Sequence, residues 1–577
     1  MRRFYLKTPF MSVPGTPNLW DVLGLLLVFV VFFGCARLAS QMSLPYAIGE
    51  PIPISLSVWA LPGYALRTVG RMAIAMIFSL LFTFIFGTLA AKSRYAERLV
   101  IPLVDILQSV PPLGFLSITI MGFILLFPNS LLGPEFASIF VIFTSQAWNM
   151  LLAFYQSLRT VPEDLIEAAD MFHLNAWQRF WRIEVPFAVP SLLWNAMMSM
   201  SGGWFFVVAS EAISVSNQQI SLPGIGSYID LAIQQANTHA VIAAIVTMFV
   251  VIILYDQLLF RPLVCWSEKF KLIQDTPQET AQSWLIQLGQ KTRLLKFVGG
   301  FLGTIGNFMI NFGCGHSKPK MRQDVSASVV KYADFTWNIV LVCLLAWGTS
   351  HIFSLIHKSL DFSAIREVFF LGLLTGIRVF ALIFICSLIL IPLGVRIGMS
   401  AKLTRIAQPI IQILAAFPAN LLYPVVVLFI VRYKLNVEIW TAPLMVLGAQ
   451  WYILFNVIAG ASSLPKDLYQ ATSNLGVKGW LWWRKFILPG IFPFYITGAI
   501  TAAGGAWNAS IIAECVTWGD TTLRATGLGA YIENVTKLGH FPEIALGISV
   551  MCIYVLILNR IIWRPLYQLA EKRCKLG

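Results

Sequence analysis

The chain carries one of its own patterns twice, so its fold must be built from two related halves. Val161 to Pro190 reads VPEDLIEAADMFHLNAWQRFWRIEVPFAVP, and Leu464 to Pro493 reads LPKDLYQATSNLGVKGWLWWRKFILPGIFP. Aligned without a gap, Pro162 falls on Pro465, Asp164 on Asp467, Leu165 on Leu468, Ala168 on Ala471, Trp177 on Trp480, Pro186 on Pro489 and Pro190 on Pro493. The same register carries Trp204 onto Trp507, Glu211 onto Glu514, Gly224-Ile225-Gly226 onto Gly527-Leu528-Gly529, and Arg261-Pro262-Leu263 onto Arg564-Pro565-Leu566. Upstream the register shifts slightly and pairs Arg71 with Arg378, Gly87 with Gly394, Pro102 with Pro409 and Pro111 with Pro418, so one connecting loop differs in length. Register held this far marks an internal repeat.

The material of each half is that of a membrane protein. Of 577 residues, 58% are hydrophobic and only 12% charged, and the mean hydropathy is +0.75. That leaves too little polar surface to cover a soluble globule of this length. Segments long enough to cross the hydrocarbon fall near 22–37, 71–91, 113–128, 136–156, 188–212 and 240–260, then near 336–356, 369–395, 419–431, 438–460, 492–514 and 542–562. The fold class expected is therefore an all-α polytopic membrane protein of about twelve transmembrane helices, six per half. The run 22–36 behind Arg2, Arg3 and Lys7 has signal-peptide features, but an uncleaved first span is the simpler reading in a polytopic chain.

Sidedness follows from charge. With the N-terminus inside, most of the 41 Lys and Arg residues fall on cytoplasmic segments, as the positive-inside rule requires. The net charge of +14 then faces the anionic inner leaflet and calls for no nucleic acid. An even number of spans per half puts both copies of the repeated loop on the cytoplasmic side and makes the halves parallel repeats. The domain expectation is a first transmembrane domain over 1–272, a cytoplasmic linker over 273–332 and a second transmembrane domain over 333–577. Within the linker, 294–312 is nearly long enough to span. It reads as an interfacial or re-entrant helix, or, from Gly299, Gly303 and Gly306, as a helix-packing face.

Each repeated loop is expected to form two short helices, with Pro162 or Pro465 at the first helical position of the first. Gly476 supplies a turn that glycine adopts easily, where the first copy has His173. Asn175 and Gln178 suit a capping box for a second helix that ends before Pro186.

Glu167-Ala168-Ala169, then Asn175, then Ile183-Glu184-Val185-Pro186 resembles the EAA loop of binding-protein-dependent ABC importer permeases. The second copy gives Gln470-Ala471-Thr472, Gly476, Lys478 and Leu488-Pro489, so the first copy lacks the glycine and the second the glutamate. Val110-Pro111-Pro112, Ile391-Pro392-Leu393-Gly394 and the acidic residues followed by GIGSYI or GLGAYI are similar to the nitrate, sulfonate, taurine and bicarbonate branch. The similarity covers about 70–272 and 377–575. It implies type I importer-like domains, with docking to two ATP-binding cassette ATPase subunits through Glu167, Ala168, Ala169, His173 and Asn175, and through Gln470, Ala471, Thr472, Gly476 and Lys478. It also implies a periplasmic binding protein that delivers a small solute, an anion such as a sulfonate, nitrate or bicarbonate, in a bacterial inner membrane with both termini cytoplasmic. ATP and Mg would be bound by the partner chains, with no cofactor in this one.

Candidate pathway residues come from charges and aromatics at matched positions: Arg71 and Arg378, Glu211 and Glu514, Trp204 and Trp507. The arginines read either as side chains snorkelling to headgroups or as attractors of an anion. The glutamates read either as structural ion pairs or caps or as a gate. The eight cysteines form no CxxC pair, the histidines show no metal-ligand spacing, and GxxxxGK[ST] is absent. No metal site, catalytic group or ATPase of its own is expected. Two other readings stay open: an ion-coupled secondary transporter, and a non-transporting membrane scaffold of the same fold.

Overall fold

The computed structural model describes residues 19–573, apart from 43, 47–51, 109, 115, 216–217, 271–283 and 313–326. Arg2, Arg3 and Lys7, and the basic linker residues Lys318, Lys320 and Arg322, lie outside the described residues. Among the described residues, nine helices are long and apolar enough to cross a bilayer, and two bent pairs bring the number to eleven. The bent pairs are Lys402–Ala416 with Ala419–Arg432, at 79°, and Val437–Leu447 with Gln450–Ser462, at 47°. The third expected span is shorter than its hydropathy suggested. Leu116–Leu126 is a helix of 11 residues, which reaches only about 16 Å at 1.5 Å per residue.

The all-α expectation also needs two additions, both outside the spans. Ala212–Val215 pairs antiparallel with Gln218–Ser221, and Cys515–Trp518 pairs with Thr521–Arg524. Each hairpin follows the fifth span of its half and leads to a short helix, Ile225–Gln234 or Leu528–Leu538. The second hairpin reaches the first half, where the Gly519 amide donates to the Ile233 carbonyl at 2.9 Å.

Each half has its own apolar core, yet each borrows from the other. Leu113, Leu116, Ile120 and Ile124 join the core of the second half, while Phe417 and Leu421 join that of the first. The borrowed residues sit at matching breaks, after Pro111-Pro112 and at Pro418. Prolines there stop the preceding amphipathic helices, Arg94–Leu107 and Ala401–Ala416, and redirect the chain. The first span of each half, Trp20–Met42 and Phe335–Ser359, is mostly exposed and so faces lipid.

The helix expected to end before Pro186 runs through it, and three other prolines are carried inside helices in the same way. Pro186, Pro262, Pro489 and Pro565 each follow a π-helical turn: Phe180–Glu184, Asp256–Phe260, Trp483–Ile487 and Asn559–Trp563. A proline ring clashes with the carbonyl four residues back and donates no hydrogen bond, and a wider turn accommodates both defects. The helix after Asn175 therefore runs unbroken from Ala176 to Glu211, 36 residues, and its counterpart runs from Gly479 to Ala513.

The linker helix Arg293–Phe312 is not among the candidate spans. Together with Trp284–Lys291 it packs on the first span, where Lys291 Nζ lies 5.1 Å from the Trp20 ring centroid. A Cβ on Gly299, Gly303 or Gly306 would meet nothing within 4 Å, so these glycines are not a packing face within the chain.

Candidate functional site

The repeated loop forms the helix–turn–helix expected of it. The first helices are Glu163–Met171 and Lys466–Asn474. Pro162 and Pro465 precede them as N-caps with ψ of 139° and 131°, one residue earlier than expected; extended backbone at the cap suits proline as well as the first turn does. Asn175 closes a capping box, its Oδ1 accepting from the Gln178 amide at 2.7 Å while Gln178 Oε1 accepts from the Asn175 amide at 3.2 Å. Lys478, its counterpart, caps with no side-chain bond, and Gly479 beside it has φ of +61°.

The turn between the helices explains the mismatch at its centre. Gly476 has φ of +66° and His173 has φ of +53°, so both copies use the left-handed conformation and only the residue differs. For a non-glycine residue that conformation costs about 1–2 kcal/mol. His173→Gly is therefore expected to keep wild-type uptake and to leave the thermal unfolding midpoint equal or higher. Loss of uptake in that variant would show that the imidazole itself is needed.

Glu167, Asn175, Gln470 and Ala471 lie at the surface or half-buried, whereas Ala169 is fully buried at the root of its helix. Its counterpart Thr472 turns its hydroxyl to the Tyr469 carbonyl at 2.8 Å. The first loop is also tied to the second span. Glu184 bonds Lys92 at 2.8 Å and Arg179 at 3.1 Å, while the matched position in the second half is the buried Ile487.

At the far ends of the fifth spans, the paired charges are drawn into two matching clusters. In the first, Arg71 is fully buried and holds Glu135 at 2.5 Å and Glu211 at 2.6 Å. Glu211 Oε1 also accepts from Thr68 Oγ1 at 2.7 Å, and its Oε2 from the Gly226 amide at 2.6 Å. In the second, Arg378 binds Glu438 and, at 3.2 Å, Glu514. Glu514 Oε1 accepts from Thr375 Oγ1 at 2.8 Å, and its Oε2 from the Gly529 amide at 2.8 Å. Neither arginine snorkels. The glutamates cap the short helices Ile225–Gln234 and Leu528–Leu538, and the first glycines of GIG and GLG are needed because a Cβ there would collide with the Glu211 or Glu514 carboxylate.

Glu135 and Glu438, Thr68 and Thr375 are the members of these clusters that sequence reasoning missed. They too fall in the repeat register, which was the signal available. Glu135 and Glu438 stand at the starts of apolar segments, where solvated charges are ordinary. The clusters differ in exposure, with the Arg378 side chain 17% and that of Glu438 43% exposed, against 0% and 1% for Arg71 and Glu135.

Trp204 and Trp507 are both buried, but in different settings. Trp204 meets Tyr255 edge-on and lines a cleft between the halves together with Trp194, Met198, Asp256, Gln412, Trp451 and Tyr452. Trp507 instead stacks on Tyr554 inside the second half. In the cleft, Asp256 is held by Arg261 at 3.5 Å and by Gln412 at 3.2 Å.

The family described as binding-protein-dependent transport system inner membrane component matches residues 83–260 and again 390–574. The chain belongs to this family. It carries two copies of the family domain in one polypeptide. Each copy contains one helix–turn–helix loop and the long span that the loop feeds.

Among curated relatives, the permease is 23% identical over 192 residues to the bicarbonate transport system permease protein CmpB of Synechocystis sp., covering 33% of this chain and 64% of that protein. It is 27% identical over 172 residues to the nitrate import permease protein NrtB of Leptolyngbya laminosa, covering 30% of this chain and 58% of that protein. It is 23% identical over 250 residues to the trimethylamine N-oxide transport system permease protein TmoV of Pelagibacter ubique, covering 43% and 32%. The chain thus spans less than two thirds of the length of the bicarbonate and nitrate permeases.

Proposed function

We propose that this chain supplies a pair of membrane domains of an ATP-driven importer in a bacterial inner membrane, with both termini cytoplasmic. The observation that carries this reading is the duplicated, exposed helix–turn–helix, each copy running without a break into a long span. A partner that docks on Glu167 to Asn175, or on Gln470 to Lys478, pushes on a helix that crosses the membrane. Two ATP-binding cassette subunits, holding ATP and Mg, fit that role, and a periplasmic binding protein delivers the solute at the opposite face.

The solute class we infer is a small anion. The names of the bicarbonate and nitrate relatives support it. The cleft between the halves is lined by aromatic and neutral donor side chains, with the Asp256 carboxylate already held by Arg261 and Gln412. Such a lining offers passing hydrogen bonds and no tight cage, so selection falls to the binding protein. An ion-coupled carrier would need a carboxylate free to load a cation; Glu211 and Glu514 are instead engaged by arginine, threonine and backbone amides.

The test is purification in mild detergent. Retention of a nucleotide-binding subunit, together with uptake that stops when ATP is depleted, is the expected result. Uptake that persists without ATP would overturn it.

A further inference from the structure

The two docking loops share apolar anchors and differ in charge. Phe172 and Leu475, at matched positions, are each 79% exposed, and the matched Trp177 and Trp480 are 46% and 72% exposed. Side chains this large and apolar on a polar loop mark a surface that a partner covers. Around them the chemistry diverges. Helix Glu163–Met171 presents Glu163, Asp164, Glu167 and Asp170, all exposed, and no basic residue. Its counterpart keeps only Asp467 and has Lys466, Gln470 and Ser473 at the other three positions.

Glu163, Glu167 and Asp170 stand at i, i+4 and i+7, one above another on a single face, where like charges repel. Asp170 also lies in the last turn, where the helix dipole disfavours an anion. Only Glu163, in the first turn, suits the helix dipole; folding gains nothing from Glu167 and Asp170, and the anionic inner leaflet would repel the stripe. A partner groove with an apolar floor and a basic rim accounts for both the anchors and the stripe.

We propose that one kind of partner groove takes both loops, and that the first loop is held by charge as well as apolar contact, the second by apolar contact alone. This rests on the ATPase-coupling reading above. Exposed ion pairs weaken as salt shortens the Debye length, whereas burial of Leu475 and Trp480 does not depend on charge screening. Salt therefore separates the two attachments, releasing the first loop while the second holds.

The experiment uses the full chain assembled with the ATP-binding subunits that support its uptake in proteoliposomes. Benzoylphenylalanine replaces either Met171 or Asn474, matched and exposed positions at the ends of the two helices. Raising NaCl from about 0.05 M to about 0.5 M is expected to lower the Met171 adduct about tenfold and the Asn474 adduct less than about twofold. The surface variant Glu163→Lys/Glu167→Gln/Asp170→Ser should abolish the salt dependence at Met171. Equal salt dependence at both sites, or adducts to two different polypeptides, would overturn the proposal. Absence of any adduct at either site at all salt concentrations would instead overturn the coupling reading on which it rests.

Discussion

Replacing Arg71 by methionine is expected to destabilise the protein by about 3–5 kcal/mol, the usual cost of breaking a buried ion pair from one side. The loss leaves Glu135 and Glu211 facing each other with side chains 1% and 0% exposed. Arg378→Met should cost less, about 1.5–3 kcal/mol. Glu438 is 43% exposed and keeps the Thr526 amide and hydroxyl, at 2.9 and 2.7 Å. Thermal unfolding in detergent reads the order directly. A triple change of Arg71, Glu135 and Glu211 to apolar residues should recover part of the loss, because no uncompensated charge then remains. If Arg378→Met proved the more damaging, the burial difference between the clusters would not govern their energetics.

The second large effect is expected at the coupling loops. Glu167→Lys reverses a charge in the acidic stripe, and Ala471→Trp places a bulky ring on an exposed helix face. Both should reduce ATP-driven uptake at least about tenfold, as truncation or obstruction of an interface anchor does, while chain level and membrane insertion stay unchanged. Neither residue supports the fold from within, so a drop in insertion would contradict the placement. Uptake at wild-type level in both variants would mean that these helices do not transmit the partner's movement.

Much of this architecture could be read from sequence because duplication makes two noisy patterns into one clear one. The matched prolines, Trp177 with Trp480, and the apolar runs gave the halves, most of the spans and the loop helices. What escaped has identifiable causes. Proline read as a terminator at Pro186, since local rules do not show that a π turn precedes it and lets the helix continue. Hydropathy measured the run 113–128 without showing that part of it is spent on the turn after Pro111-Pro112. His173 looked like a lost glycine, although the backbone keeps φ of +53°. Arg71 read as a snorkelling side chain or an anion attractor because its partners Glu135 and Glu211 lie far away in sequence, and tertiary contact rather than helix-end position decides its fate.

Energy should enter this chain through its two loops. The most direct measurement is solute uptake into proteoliposomes holding the full chain, its nucleotide-binding partner and a binding protein loaded with bicarbonate or nitrate, with and without internal ATP. The account predicts accumulation that requires ATP and that falls when Glu167→Lys is introduced in the same assembly. Accumulation that ignores ATP and follows an imposed proton or sodium gradient would contradict it.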